Sequence, residues 1–214
     1  MILEGFESGF YPYNGEGELT VPIEWTPIWV QGTPEQVADG YLKRPEYKPA
    51  GAAQVKTGKD AVAIHGRNAT IDGALYRQFN VAKGKEVQVS GWCLKTENAL
   101  GGGQQIGIDP LGGTDHTAFS IVWSDWYSQY SPDYAINLWR QRSVQGIAQA
   151  DKITVFLRAK VDYKADGFNS HFDDLEISFA EGPSTGEIDY DLIRQIIQEE
   201  IAYALEKVGA ALLS

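Results

Sequence analysis

From residue 2 to residue 179 the chain is written in short runs, alternating or wholly apolar, each cut off by Gly, Asn, Asp or Pro. That punctuation is the strongest constraint on the fold. A helix needs a long unbroken stretch of 3.6-residue period, whereas short runs separated by turn residues build the strands of a sandwich or barrel. The runs predict strands at 3–6, 23–30, 53–55, 61–65, 74–81, 86–94, 105–108, 119–123, 137–142, 152–158 and 172–179. Within 152–158, Ile153, Val155 and Leu157 fall on one face and Thr154 and Phe156 on the other. Within 172–179, simple alternation puts Leu175, Ile177 and Phe179 on the face of Asp173. Segments 34–50 and 97–103 read as loops, and 124–135 is the richest connection. Twenty-three glycines and nine prolines fit many tight turns, and a hydrophobic fraction of 43% is enough for a core.

Near Glu181 the texture changes. Residues 181–186 read as a linker, and no proline follows Glu187. Ile193, Ile197, Ile201, Ala204, Leu205, Val208 and Leu212 then recur at helical spacing, with Leu192, Ile196 and Tyr203 widening the stripe. Ser184 and Glu187 suit a capping box. The expected plan is an all-β sandwich over 1–180, the linker, and one long amphipathic helix over 187–214. That helix either packs on its own sandwich or bundles with copies from other subunits or a larger shell. Glu206 and Lys207 argue against a membrane anchor.

A formal charge of −11 and a pI near 4.7 disfavour nucleic acid or an anionic membrane as partner. The one cysteine, Cys93, lies in the apolar run 87–94 and reads as a small core residue.

Three stretches, in order, resemble a known family. They are Leu3-Glu4-Gly5-Phe6-Glu7-Ser8-Gly9-Phe10; Gly73-Ala74-Leu75-Tyr76-Arg77-Gln78-Phe79-Asn80-Val81, followed by Lys83-Gly84-Lys85-Glu86-Val87-Gln88-Val89-Ser90-Gly91-Trp92; and Phe172-Asp173-Asp174-Leu175-Glu176-Ile177. Together they resemble the start, middle hairpin and closing strand of jelly-roll carbohydrate-binding modules, the type appended to xylanases and other polysaccharide hydrolases. The resemblance implies a jelly-roll sandwich and a polysaccharide or cell-surface glycan as partner. It also implies a structural calcium held by Glu7, by Asp173 or Asp174, and by the turn Thr57-Gly58-Lys59-Asp60. Calcium takes six to eight hard oxygens, and a cation would offset two carboxylates brought together.

Sugar recognition ordinarily stacks aromatic rings on sugar faces, with polar groups at the hydroxyls. The loop carrying Trp126, Tyr127 and Tyr130 is dense in both. Trp25 and Trp29, four apart on an expected strand, share a face and suit either the same cleft or the core. Trp92 is expected in the core. His65, His116 and His171 are scattered and read as structural, and Asp109 and Asp115 as turn formers. No two carboxylates stand out as a catalytic pair, so the chain is expected to be non-catalytic, with a glycoside hydrolase as the third reading. The N-terminus shows no basic region followed by an apolar stretch, so no signal peptide is expected. Two settings fit a sugar-binding sandwich without one: an excised module of a secreted hydrolase, or an oligomeric adhesion or decoration subunit such as a bacteriophage virion carries. The expected location is extracellular or on a virion surface.

Overall fold

The computed structural model describes residues 1–97 and 99–180; the expected linker and helix lie outside the described residues. The strands are β1 (Ile2–Glu4), β2 (Phe10–Pro12), β3 (Thr20–Pro22), β4 (Thr26–Trp29), β5 (Glu46–Pro49), β6 (Val62–Gly66) and β7 (Ala69–Asn80). They continue with β8 (Glu86–Lys95), β9 (Gly102–Asp109), β10 (Val122–Trp123), β11 (Tyr127–Ser128), β12 (Arg140–Ile147), β13 (Lys152–Ala165) and β14 (Phe168–Ala180). One short helix, α1 (Pro34–Ala38), begins at Thr33, whose hydroxyl accepts from Gln36 N while the Gln36 side chain accepts from Thr33 N.

The first sheet runs β12-β8-β14-β6-β5, with β1 added along β14; the second runs β10-β9-β13-β7-β4, with β11 also on β9. Every ladder in these two sheets is antiparallel. From β6 to β9 and again from β11 to β14 the chain passes back and forth between the sheets, so most neighbouring strands there are distant in sequence, while β9, β10 and β11 stay together in the second sheet. The inward rows close one core. Val87, Val89 and Cys93 of β8 meet Ile106 and Ile108 of β9, Ile153, Val155 and Leu157 of β13, and Phe172, Leu175 and Ile177 of β14. The expected split of 152–158 holds: Phe156 joins a second, smaller cluster with Ala74 and Ile121 on the opposite face of its sheet. Cys93 is buried, and burial pushes its thiol up to about 12, so it is an inert core residue at neutral pH.

Four local expectations need correction. Residues 52–54 form a 3₁₀ turn rather than a strand. The expected loop 34–50 contains β5, whose Pro49 sits at its end, where a missing N–H is tolerated. The strand expected over 119–123 shrinks to Val122–Trp123. In β14, Asp173 pairs with Trp92 and Glu176 with Ser90, so one extra residue is inserted there, and Asp174 adopts φ +47°. This bulge puts both Phe172 and Leu175 into the core, so Asp173 does not share the face of Leu175. Trp92 lies opposite Asp173 and is half-buried outside the main core, with Lys56 Nζ 4.4 Å from its ring centre.

Candidate functional site

Residues 124–135 fold into a compact loop because two serines replace much of the missing strand hydrogen bonding. Ser131 Oγ accepts from Ser128 N (2.9 Å) and donates to Trp126 O (2.7 Å), and Ser128 Oγ accepts from Tyr130 N (3.2 Å). Backbone bonds from Ser131 N to Ser128 O and from Tyr134 N to Ser131 O complete two successive turns. The loop is anchored by β11, which pairs Tyr127 with Gln104 and Ser128 with Gly103.

Gly103 is what allows Trp126 its position. A Cβ there would stand 2.3 Å from the indole, so only glycine lets the ring lie against the strand. Tyr127 points the other way and is fully buried. Its hydroxyl donates to Ala135 O (3.2 Å), its ring packs on Tyr134, and the Arg142 guanidinium carbon sits 4.6 Å from its centre. Arg142, on β12, in turn donates to both carboxylate oxygens of Asp133 (2.9 and 2.7 Å), and this bond holds Asp133 below the usual carboxylate range.

The result is an open cleft of about 530 Å³, lined by Asp125, Trp126, Tyr130, Asp133 and Arg142, with Ser128, Ser131 and Pro132 completing its wall. Its volume is in the range of small-ligand sites. Of the aromatics singled out in the sequence, Trp126 (half-buried) and Tyr130 (71% exposed) line it. Tyr127 supports it from below. Trp25 is elsewhere and wholly buried against Phe6, with ring centres 5.9 Å apart, so it serves the core and not a cleft. Trp29 is half-buried at the core margin and donates its indole N–H to Gln31 Oε1 (2.7 Å). Arg142 had no sequence signal, being one of several charged residues on an edge strand.

The four residues expected to hold calcium do gather, at the loop 56–60. Glu7 Oε1 accepts from Lys59 N (2.9 Å) and Asp60 N (3.1 Å) and lies over Gly58, where a Cβ would stand 2.2 Å away. Asp173 Oδ2 accepts from Lys56 N (2.8 Å), and Asp174 Oδ1 from the Thr57 hydroxyl (2.6 Å). Asp60 pairs with Lys59 at 3.1 Å. Burial pushes Asp173 up to about 6. The donors are all hard oxygens, as calcium requires. Each carboxylate grips the loop separately, and among the described residues no three acidic, histidine or cysteine side chains surround one point.

The three histidines also have distinct places. His65 Nδ1 lies 2.9 Å from both Glu46 Oε2 and Lys48 Nζ. His171 is on β14, beside β6, and burial, with Lys48 and His65 nearby, pushes it down to about 4. Buried His116 sets Nε2 3.4 Å from Asp72 Oδ1. Asp109 and Asp115 close turns as expected, accepting from Leu111 N and Thr117 N.

The sequence matches no family model, and no curated protein matches it. Solved structures do match in fold. A TmCBM61 carbohydrate-binding module in complex with β-1,4-galactotriose is 14% identical with a TM-score of 0.50, covering 82% of this chain and 94% of that one. The K1 cleaved adhesin domain of Lys-gingipain from Porphyromonas gingivalis W83 is 16% identical with a TM-score of 0.50, over 83% and 96%. A cyclase from Fischerella sp. TAU in complex with 4-(1H-indol-3-yl)butan-2-one is 12% identical with a TM-score of 0.52, over 84% and 96%. The described residues thus form an all-β, jelly-roll type sandwich. This architecture is shared with a carbohydrate-binding module, and also with an adhesin domain and an enzyme, so the fold by itself does not name an activity.

Proposed function

We propose that this chain is a non-catalytic carbohydrate-binding protein that takes its glycan in the cleft of Trp126 and Tyr130. The observation that carries the reading is an aromatic pair, half-buried Trp126 and exposed Tyr130, set beside charged and hydroxyl groups on a loop braced by its own hydrogen bonds. Rings offer apolar faces to sugar C–H surfaces, while Asp125 at the cleft wall can accept from hydroxyls. Bracing the loop before binding lowers the ordering cost of association. A hydrolase reading has less support. It needs two free carboxylates, a general acid and a base or nucleophile, whereas both oxygens of Asp133 are engaged by Arg142.

Trp126→Ala and Tyr130→Ala should each abolish retardation on native gels cast with the bound polysaccharide while leaving the thermal transition in place. Retention unchanged in both variants would remove the cleft from consideration, and turnover of a xylan, glucan or mannan would replace the reading with a hydrolase. The role extends to an oligomeric adhesion or decoration subunit, on a virion or another surface, because several weak sites on one carrier sum by avidity. The apolar stripe of residues 193–212 supports self-association, and removing 187–214 should yield monomers in sedimentation.

The reading includes the structural calcium that the resemblance implies at Glu7, at Asp173 or Asp174, and at the turn 57–60 with Asp60, where an ion would replace the separate bonds these carboxylates make to the loop. Chelator should then lower the melting temperature, and Glu7→Ala should abolish that sensitivity. No response of the unaltered protein to chelator or added calcium would exclude the ion.

A further inference from the structure

The charge balance inside the cleft says which glycans it accepts. Among the described residues Arg142 is the one cation lining it, and it makes two bonds to Asp133, at 2.9 and 2.7 Å. The guanidinium also donates to Gln141 O (2.8 Å) and its side chain is only 11% exposed, so it has little left to offer a ligand carboxylate or sulfate. Asp125 is different. It is exposed at the cleft wall, and among the described residues its carboxylate has no hydrogen-bond or ion-pair partner. The backbone around it is fixed by Ser124, whose hydroxyl accepts from Ile106 N (3.1 Å) and whose N–H donates to Ile106 O (2.8 Å). Asp125 thus presents two acceptor oxygens next to the ring of Trp126, on a loop that does not need them for its own structure.

We propose that Asp125 sets the specificity of the cleft: it accepts hydrogen bonds from the hydroxyls of a neutral sugar lying on Trp126 and Tyr130, and it turns away uronate and sulfated polymers. An ionised carboxylate accepts and does not donate, so hydroxyl groups satisfy it and a second anion does not. The formal charges along the cleft, Asp125 and Asp133 against Arg142, leave it negative. The whole chain, at −11, repels polyanions at longer range as well. The inference rests on the glycan reading above and goes beyond it by naming the ligand class and the residue that selects it.

The test is affinity electrophoresis of the full chain in gels containing neutral polymers (galactan, xylan, mannan, β-glucan) or acidic ones (polygalacturonate, alginate). Asp125→Asn, Asp125→Lys and Trp126→Ala run alongside. The unaltered protein should be retarded by at least one neutral polymer and by neither acidic one. Asp125→Asn should weaken that binding by roughly 10-fold, the loss expected for a hydrogen bond to a charged group. Asp125→Lys should lose the neutral polymer and gain retardation by the acidic ones. If acidic polymers retard the unaltered protein as strongly, or Asp125→Asn binds as it does, while Trp126→Ala still abolishes binding, the specificity assignment fails and the glycan reading stands. If Trp126→Ala binds like the parent, or no polymer retards the parent, both fail together. Thermal melts of all three variants identify any loss caused by unfolding.

Discussion

Arg158→Met should destabilise the sandwich by about 3–5 kcal/mol, the cost of leaving a buried charge without its partner. Arg158 of β13 and Asp72 of β7 lie on the face of the second sheet that is turned away from the main core. Two bonds join them, Nε to Oδ1 at 2.8 Å and Nη2 to Oδ2 at 2.6 Å, and the side chains are 17% and 8% exposed. Burial alone would raise Asp72. Contacts from His116 and Arg158 outweigh it and hold Asp72 down to about 2. Removing Arg158 leaves the buried carboxylate with only His116 at 3.4 Å against the cost of burial, and Trp123, whose ring lies 5.4 Å from the guanidinium, loses its cation as well. The double variant Asp72→Asn, Arg158→Met should recover most of the loss, since neutral groups of similar size cost little to keep buried. Urea unfolding of the parent, both single variants and the double variant measures this. A loss below about 1 kcal/mol in Arg158→Met would mean water reaches Asp72 and the pair is effectively on the surface. The pair Arg142–Asp133 has similar geometry, but its carboxylate is 46% exposed, so its loss should disturb the cleft more than the fold.

The contrast between these two pairs shows what sequence reading reaches and what it does not. Alternation is local, so the inward row Ile153, Val155, Leu157 and the burial of Cys93 were legible. Turn chemistry is local too, and Asp109 and Asp115 behave as their neighbours dictate. The aromatic loop 124–135 also announced itself, because rings and hydroxyls in a non-periodic segment have no core strand to belong to. The Asp72–Arg158 bond, by contrast, joins residues 86 apart in sequence, and nothing near either residue specifies the other. The approach of His65 to Lys48 depends in the same way on which strand lies beside which. The bulge at Asp173–Asp174 was missed because simple alternation carries Asp173 onto the face of Leu175. Only the shifted register against β8 reveals the extra residue. Trp25 and Trp29 were expected on one strand, yet Trp25 precedes β4 and is sealed in the core, while Trp29 ends β4 and sits at the core margin. Burial depends on what packs across the sandwich, and periodicity carries no record of that.

Lys95 leads to the second large effect, which appears as a stability that rises on the alkaline side of neutrality. It ends β8 with its ammonium wholly buried, donating to Gly102 O at 2.7 Å and lying 5.0 Å from the ring centre of Phe168. Burial pushes it down to about 8 from the ordinary lysine value of 10.5. Between those two values the unfolded chain holds the proton and the folded one has released it, so stability increases as pH rises through this window. The full difference corresponds to roughly 3 kcal/mol. Cys93 acts in the opposite sense. Its thiol stays protonated to about 12 in the fold but ionises near 9 when exposed, so it subtracts stability above pH 9. The two slopes nearly cancel between 9 and 10.5, and above that range the fold weakens. Buried Tyr47, held well above its usual value by burial, adds to the fall. Urea unfolding at pH 7, 8, 9 and 10 should therefore show a gain of roughly 0.5–1 kcal/mol from pH 8 to 9, then a plateau. Lys95→Met should lose the gain, and Cys93→Ala should turn the plateau into a continued rise until the tyrosines take over near pH 10. The same alkaline gain in Lys95→Met as in the parent would mean that the ammonium is solvated and that another group drives the slope.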